Sequence, residues 1–205
     1  MSAKDREEQV AAPAATAGTS DVEVQQILEK VDREAKHRFL EGWQSILVSI
    51  IAVCFSCFHI YTAFFGVLDA HLQRAVHLGF VLTLLYLLYP FLGRQRRDRF
   101  GLTDLIPVVL SLGALGYLVY FYPQLVLRSG LMTTMDVVVG TIGIFLIFEA
   151  GRRIIGWPMV IIAGVFIFYA VFGEIMPDTL AHRNLKLSQL VSHLWFTTEG
   201  VFGIP

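Results

Sequence analysis

The segment GWQSILVSIIAVCFSCFHIYTAFFGVL, residues 42–68, runs for 27 positions without an Asp, Glu, Lys or Arg. A helix rises about 1.5 Å per residue and a bilayer core is roughly 30 Å thick, so this stretch is long enough to cross a membrane. Further apolar stretches occupy 75–93, 105–127 and 154–173. A weaker one lies between Asp136 and Glu149, where only 12 residues are uncharged. That is about 18 Å of helix, so it spans only if the two acids sit at opposite interfaces, which is the arrangement expected. The predicted fold class is therefore all-α integral membrane, with five transmembrane helices and amphipathic helices before the first and after the last.

Composition agrees, since 55% of the 205 residues are hydrophobic and only 16% are charged, too apolar for an ordinary soluble domain of this length. The net charge of -1 is silent about partners, but the placement of arginine is not. Arg33, Lys36 and Arg38 precede the first stretch, Arg94, Arg96, Arg97 and Arg99 separate the second from the third, and Arg152 and Arg153 separate the fourth from the fifth. The remaining connectors carry only Arg74 and Arg128, and the segment after the fifth stretch carries Arg183 and Lys186. Positive residues are retained on the cytoplasmic side, which places the amino terminus inside and the carboxyl end outside after five crossings. The same alternation makes the 94–99 cluster a topological signal, with no nucleic-acid partner implied.

Four regions follow. Residues 1–19 are Ala-rich and lack a periodic apolar face, as in a disordered cytoplasmic tail. Residues 20–41 open on a capping-box pattern, Ser20 with Glu23, and repeat Val24, Leu28, Val31, Ala35 and Phe39 at helical spacing, as in an amphipathic helix lying on the membrane surface. A helix docked on a partner fits this pattern equally well. Residues 42–173 form the five-span domain. Residues 174–205 begin with a charged outer connector and continue into a short interfacial helix marked by Leu187, Leu190, Val191 and Leu194, ending on the breakers Gly200, Gly203 and Pro205.

Few residues offer chemistry. Cys54 and Cys57 have C-x-x-C spacing, but they lie inside an apolar span without the exposure or further ligands that redox or zinc sites need, so they read as lipid-facing thiols. Ser45, Ser49, Ala52, Ser56, His59 and Ala63 recur at a 4-3-4-3-4 spacing and share one helix face, a stripe of the kind that lets membrane helices approach closely. His59 is the one ionisable group well inside a span, and such groups are functional candidates. Bis-histidine haem ligation with His77 is the sharp possibility. From the apolar boundaries, however, His59 lies about 13 Å from the end of its helix and His77 within about 3 Å of the start of the next, so the two are expected at different levels. A neutral histidine hydrogen bonded between helices is the favoured reading. No acidic residue, lysine or arginine is expected at mid-membrane, and no matched pair of Gly- or Pro-broken spans marks a substrate or ion site.

Several of these stretches resemble a known family. They are HIYTA at 59–63, QRAVHLGF at 73–80 with YP at 89–90, GRRIIGWP at 151–158 and, most distinctively, SHLWFTTEGVFGIP at 192–205. Together they are similar to the fused permeases of tripartite ATP-independent periplasmic (TRAP) transporters, of the type working with TAXI-class binding proteins. The resemblance covers most of the chain after about residue 40. It implies a bacterial inner-membrane permease, driven by sodium symport, that takes solute from a soluble periplasmic binding protein. It further implies that this chain corresponds to the small scaffold-like region, ending about where the larger region with the substrate and sodium sites begins. No transport residue is carried over, and no cofactor of its own is implied.

The functional expectation is a non-enzymatic scaffold that is not transport-competent alone, with the lipid bilayer, a large permease region or subunit and a periplasmic binding protein as partners. Any outer-face docking would fall on Arg74, Arg128, Arg183 and Lys186. The rival expectations are an independent membrane anchor or assembly protein and a haem-binding membrane redox protein. The topology has a direct test: a reporter active only outside the cytoplasm works when fused near Arg128 or after Pro205 and fails after Arg97. Activity at Arg97 overturns the orientation.

Overall fold

The computed structural model describes residues 38, 40–66, 68–91, 100–128, 130–177 and 179–203. The expected tail at 1–19, nearly all of the expected surface helix at 20–41 and the 94–99 arginine cluster lie outside the described residues. Six α-helices and no strand occur among the described residues: α1 (Trp43–Phe65), α2 (Ala70–Leu88), α3 (Leu102–Leu127), α4 (Thr134–Ile154), α5 (Trp157–Val171) and α6 (Leu187–Phe196), with a 3-10 turn at Gly173–Ile175. The first four are long and apolar enough to cross a membrane.

The fourth apolar stretch, expected to be the weak one, is a helix of 21 residues. Its charges do not mark its ends. Asp136 is drawn into the first turn by a capping box with Thr133, and Glu149 is paired with Arg152 and Arg153 one turn on, so the helix continues past both. The fifth is shorter than expected, at 15 residues. Gly156 breaks the chain with a φ of 104°, a left-handed geometry that favours glycine. Pro158 then sits in the first turn of α5, where its missing N–H is harmless.

The second stretch starts earlier than its apolar boundary. Asp69 caps α2, its carboxylate accepting the His71 N–H at 2.9 Å, so His71, Gln73 and Arg74 are helical rather than part of a loop. This brings α2 forward by five positions, from 75 to 70.

Helices α2, α3 and α4 form the core, with α1 laid on α2 and α5 on α4. Leu82, Leu85, Tyr86, Leu115, Leu118 and Leu146 fill the space between the three. The Tyr86 hydroxyl, buried in that apolar core, donates to the Leu146 carbonyl at 2.5 Å. The core has two polar ends. At one, named here for Asp104, α2 and α4 end and α3 begins; at the other, named for Asp136, the directions reverse.

The face that α1 turns inward carries Gln44, Val48, Ile51, Phe55 and Thr62, with Phe55 stacked on Phe80 at 5.2 Å. The small-residue stripe lies about 100° round the helix from that face. Ser45, Ala52 and His59 are half-buried at its edge, while Ser49, Ser56 and Ala63 are exposed. The contact inside the chain is thus made by large side chains and, from the stripe, by His59, which meets His77. Cys54 and Cys57 are exposed and unpaired.

Helix α6 packs on the Asp136-end half of α4. A Cβ on Gly140 would sit 2.4 Å from Val191, and one on Gly143 would sit 2.4 Å from the Trp195 ring. The fully buried Trp195 therefore occupies space that only glycine leaves. Beyond α6 the chain turns back: the Val201 N–H donates to the Leu194 carbonyl at 2.8 Å, and Phe202 is buried against His71 and Trp195. Gly200 permits this return, because a Cβ there would lie 2.4 Å from the Leu194 oxygen.

This packing makes a prediction. Gly143→Ala forces the Trp195 ring to shift and costs about 1–3 kcal/mol, typical of overpacking. A Cβ at Gly151 meets open space, so Gly151→Ala leaves stability unchanged or slightly raised. Tryptophan-monitored melting in detergent compares the two, and equal midpoints would show that α6 does not seat on Gly143.

Candidate functional site

Asp104, at the third position of α3 and fully buried, accepts from four donors among the described residues. An acid there meets the positive end of the helix dipole, yet burying a carboxylate is costly without several donors. Arg38 Nη2 donates at 2.5 Å, Arg153 Nη1 at 2.8 Å, and the backbone N–H groups of Phe91 and Gly101 at 3.1 and 3.3 Å. The Arg38 N–H also donates to the Leu88 carbonyl at 2.8 Å.

Arg153 links this carboxylate to a second one. Its Nε donates to Glu149 at 2.9 Å and its remaining nitrogens reach the carbonyls of Tyr89 at 2.9 Å and Thr103 at 3.4 Å. Arg152 grips Glu149 through Nε and Nη2 at 2.7 and 2.8 Å and lies 4.7 Å over the Phe91 ring. Arg38 keeps Nε and Nη1 buried without a partner. Chemically, both acids are committed to guanidinium groups. The cluster fastens chain segments rather than offering a base.

The opposite end repeats the device on a smaller scale. Fully buried Asp136 accepts from the Thr133 N–H and hydroxyl at 2.7 Å each, from the Tyr117 hydroxyl at 2.7 Å and from Arg128 Nη2 at 2.9 Å. Nearby, the Tyr122 hydroxyl, helped by the His71 amide, holds the Asp69 carboxyl below the usual carboxylate range. Arg74 donates to the Phe202 carbonyl at 2.6 Å. Of the four cations expected on an outer docking face, Arg74 and Arg128 are thus bound within the chain, whereas Arg183 and Lys186 are exposed.

His59 and His77 overturn the expectation of different levels. Because α1 ends at Phe65 and α2 begins at Ala70, the two residues lie about 9 and 10 Å from their helix ends, at one depth. His59 Nε2 and His77 Nδ1 share a hydrogen bond of 2.9 Å, with Phe55 edge-on to both rings. They line a cavity of about 320 Å³ with Leu68, Ala70, Gln73 and Arg74. Two axial haem ligands lie on opposite sides of the iron, each at about 2.0 Å and so about 4 Å apart, whereas this pair as placed shares a direct hydrogen bond. No group of three or more His, Cys, Asp or Glu that could hold a metal ion occurs among the described residues.

Sequence reasoning passed over Asp104 entirely and took Glu149, Arg152 and Arg153 for ordinary interfacial charges. The available signal was Asp104's place three residues after Gly101, directly beyond an arginine-rich connector. Its partners, 66 and 49 positions away, carry no local signature.

No family model matches the sequence, and no curated protein and no solved structure matches it either.

Removing the Asp104 charge leaves the buried Arg38 guanidinium without its carboxylate and Arg153 with Glu149 alone. Asp104→Asn therefore destabilises the bundle by about 3–5 kcal/mol, the cost of breaking a buried ion pair from one side. A drop in melting temperature no larger than that of Lys186→Gln, an exposed control, would remove the cluster's structural role.

Proposed function

We propose that the chain is the scaffold portion of a sodium-driven TRAP-type solute permease of the TAXI kind, residing in a bacterial inner membrane and inactive in transport alone. The observation that carries this reading is the division of labour among its polar groups. The acids in the core helices are consumed by internal ion pairs, while α1 buries only Gln44 and Thr62 and α5 buries no residue. Lipid tolerates an apolar surface, but the exposed Ser49, Ser56 and Ala63 on α1 suit close packing on another membrane helix. The exposed half of the stripe, Ser49, Ser56 and Ala63, is then the seam to the larger permease region, which holds the sodium and substrate sites.

The arginine alternation supports a cytoplasmic Asp104 end and a periplasmic Asp136 end. What supports five crossings is that α5 starts at the Asp104 end while α6 seats toward the Asp136 end of α4. The 15 residues of α5 supply about 22 Å and the 3-10 turn about 6 Å more, close to a bilayer core. Arg183 and Lys186 then face the periplasmic binding protein.

The experiment is purification of the tagged chain from its native membrane, followed by reconstitution in vesicles. Expected is a stoichiometric complex with a many-span polypeptide, active in sodium-dependent uptake only with both membrane parts and the binding protein. Ser49→Leu disrupts the complex and Cys54→Leu does not. Uptake by the 205-residue chain alone overturns the reading, and recovery of the chain without any membrane partner favours an independent anchor.

A further inference from the structure

Between α3 and α4, beginning beside the Asp104 cluster, lies a groove of about 460 Å³. Ile106 and Leu110 form one wall and Ile142 and Phe145 the other, with Glu149 and Arg153 at one end. From Thr103 to Leu110, or from Glu149 back to Ile142, the groove runs about 10 Å along the helices. Ile106 and Phe145 are exposed, so it opens sideways, where the surrounding hydrocarbon would be. Its chemistry is that of an amphiphile's mould, apolar along its length and charged at one end.

The charged end has a sign. Among the described residues, three guanidinium groups, of Arg38, Arg152 and Arg153, meet two carboxylates, of Asp104 and Glu149, which leaves one positive charge in excess. Arg38, Arg153 and Asp104 have side chains no more than 1% exposed, whereas Arg152 is 20% exposed. The excess charge therefore emerges at Arg152, whose Nη1 has no partner among the described residues. Beside it, at 5.7 Å, stands the ring of the exposed Trp157, a residue type concentrated at headgroup level.

We infer that this groove binds an anionic glycerophospholipid, one acyl chain lying between α3 and α4 and the phosphate meeting Arg152. Basic pockets between membrane helices take such headgroups, and each methylene buried adds to the affinity. A helix is about 10–12 Å across and would rest on Ile106 and Phe145 without entering a cleft between two packed helices. A zwitterionic lipid would bring an ammonium group toward Arg152. The inference does not depend on the permease reading, since it uses only α3, α4 and the cluster.

Native mass spectrometry of the full chain in mild detergent tests it, using phosphatidylglycerol and phosphatidylcholine with identical acyl chains. The chain retains one phosphatidylglycerol and several-fold less phosphatidylcholine. Arg152→Gln lowers phosphatidylglycerol retention about fivefold, the factor one basic residue contributes near an anionic headgroup, and Arg152→Lys keeps most of it. Leu110→Trp fills the groove and removes both lipids; Leu110 is partly exposed, so this variant carries the test if Arg152→Gln fails to fold. Glycerol 3-phosphate, which lacks chains, does not displace the lipid. Equal retention of the two lipids, unchanged retention in Leu110→Trp, displacement by glycerol 3-phosphate, or a photo-crosslinker at Ile106 that captures a polypeptide rather than lipid would each overturn the proposal.

Discussion

The structure depends on one buried carboxylate. Asp104 accepts from a residue ahead of α1, from the backbone just after α2, from the backbone just before α3 and from the last turn of α4. In a low-dielectric setting an isolated carboxylate is prohibitively costly, and an ion pair offsets that cost only when its remaining lone pairs are satisfied. Four donors meet that condition. Because they come from four segments, the carboxylate is satisfied only when all four are in place, which is how one side chain sets the register of the bundle. The same cluster accommodates Pro107, which lies inside α3 and lacks an N–H. The Thr103 carbonyl, four residues before that proline, is faced by Arg153 Nη2 at 3.4 Å, a long contact but a charged one.

Paired charges also decide where the helices stop. Asp104 and Asp136 each occupy the third position of a helix and are each held by an arginine from elsewhere. Acids there and arginines in the last turn of α4 both complement the helix dipoles. Counting uncharged residues between Asp136 and Glu149 treats these side chains as boundaries, although neutralised and hydrogen-bonded charges can lie within a helix near its ends. For α5 the error had the opposite sign. Hydrophobicity alone runs without interruption from 154 to 173, and the shortening comes from backbone geometry at Gly156 and from the cap at Phe172.

What was legible in the sequence is what depends on neighbours in the chain: the long apolar helices and the presence of a short helix at 187–196. What was not legible depends on pairing between distant segments. The levels of His59 and His77 turned on a short connector whose Asp69 cap moves α2 by five positions, enough to convert separated rings into a hydrogen bond. The seat of α6 required knowing that Gly140 and Gly143, otherwise unremarkable in an apolar helix, would face Trp195. On α1 the small residues suggested a contact face, but the inward face is built from Val48, Ile51 and Phe55. Within the chain, bulk to fill the gap against α2 outweighed closeness of approach.

That choice has a mechanical consequence for α1. It packs chiefly on α2, and its polar attachments are few: the Arg38 salt bridge just ahead of it at one end and the His59–His77 hydrogen bond toward the other. Interhelical hydrogen bonds in membranes contribute only about 0.6–2 kcal/mol each, so the histidine contact is a weak latch compared with the Asp104 cluster. The polar anchoring of α1 is therefore concentrated beside the Asp104 cluster, and along the rest of its length α1 is held on α2 mainly by the packing of Val48, Ile51 and Phe55.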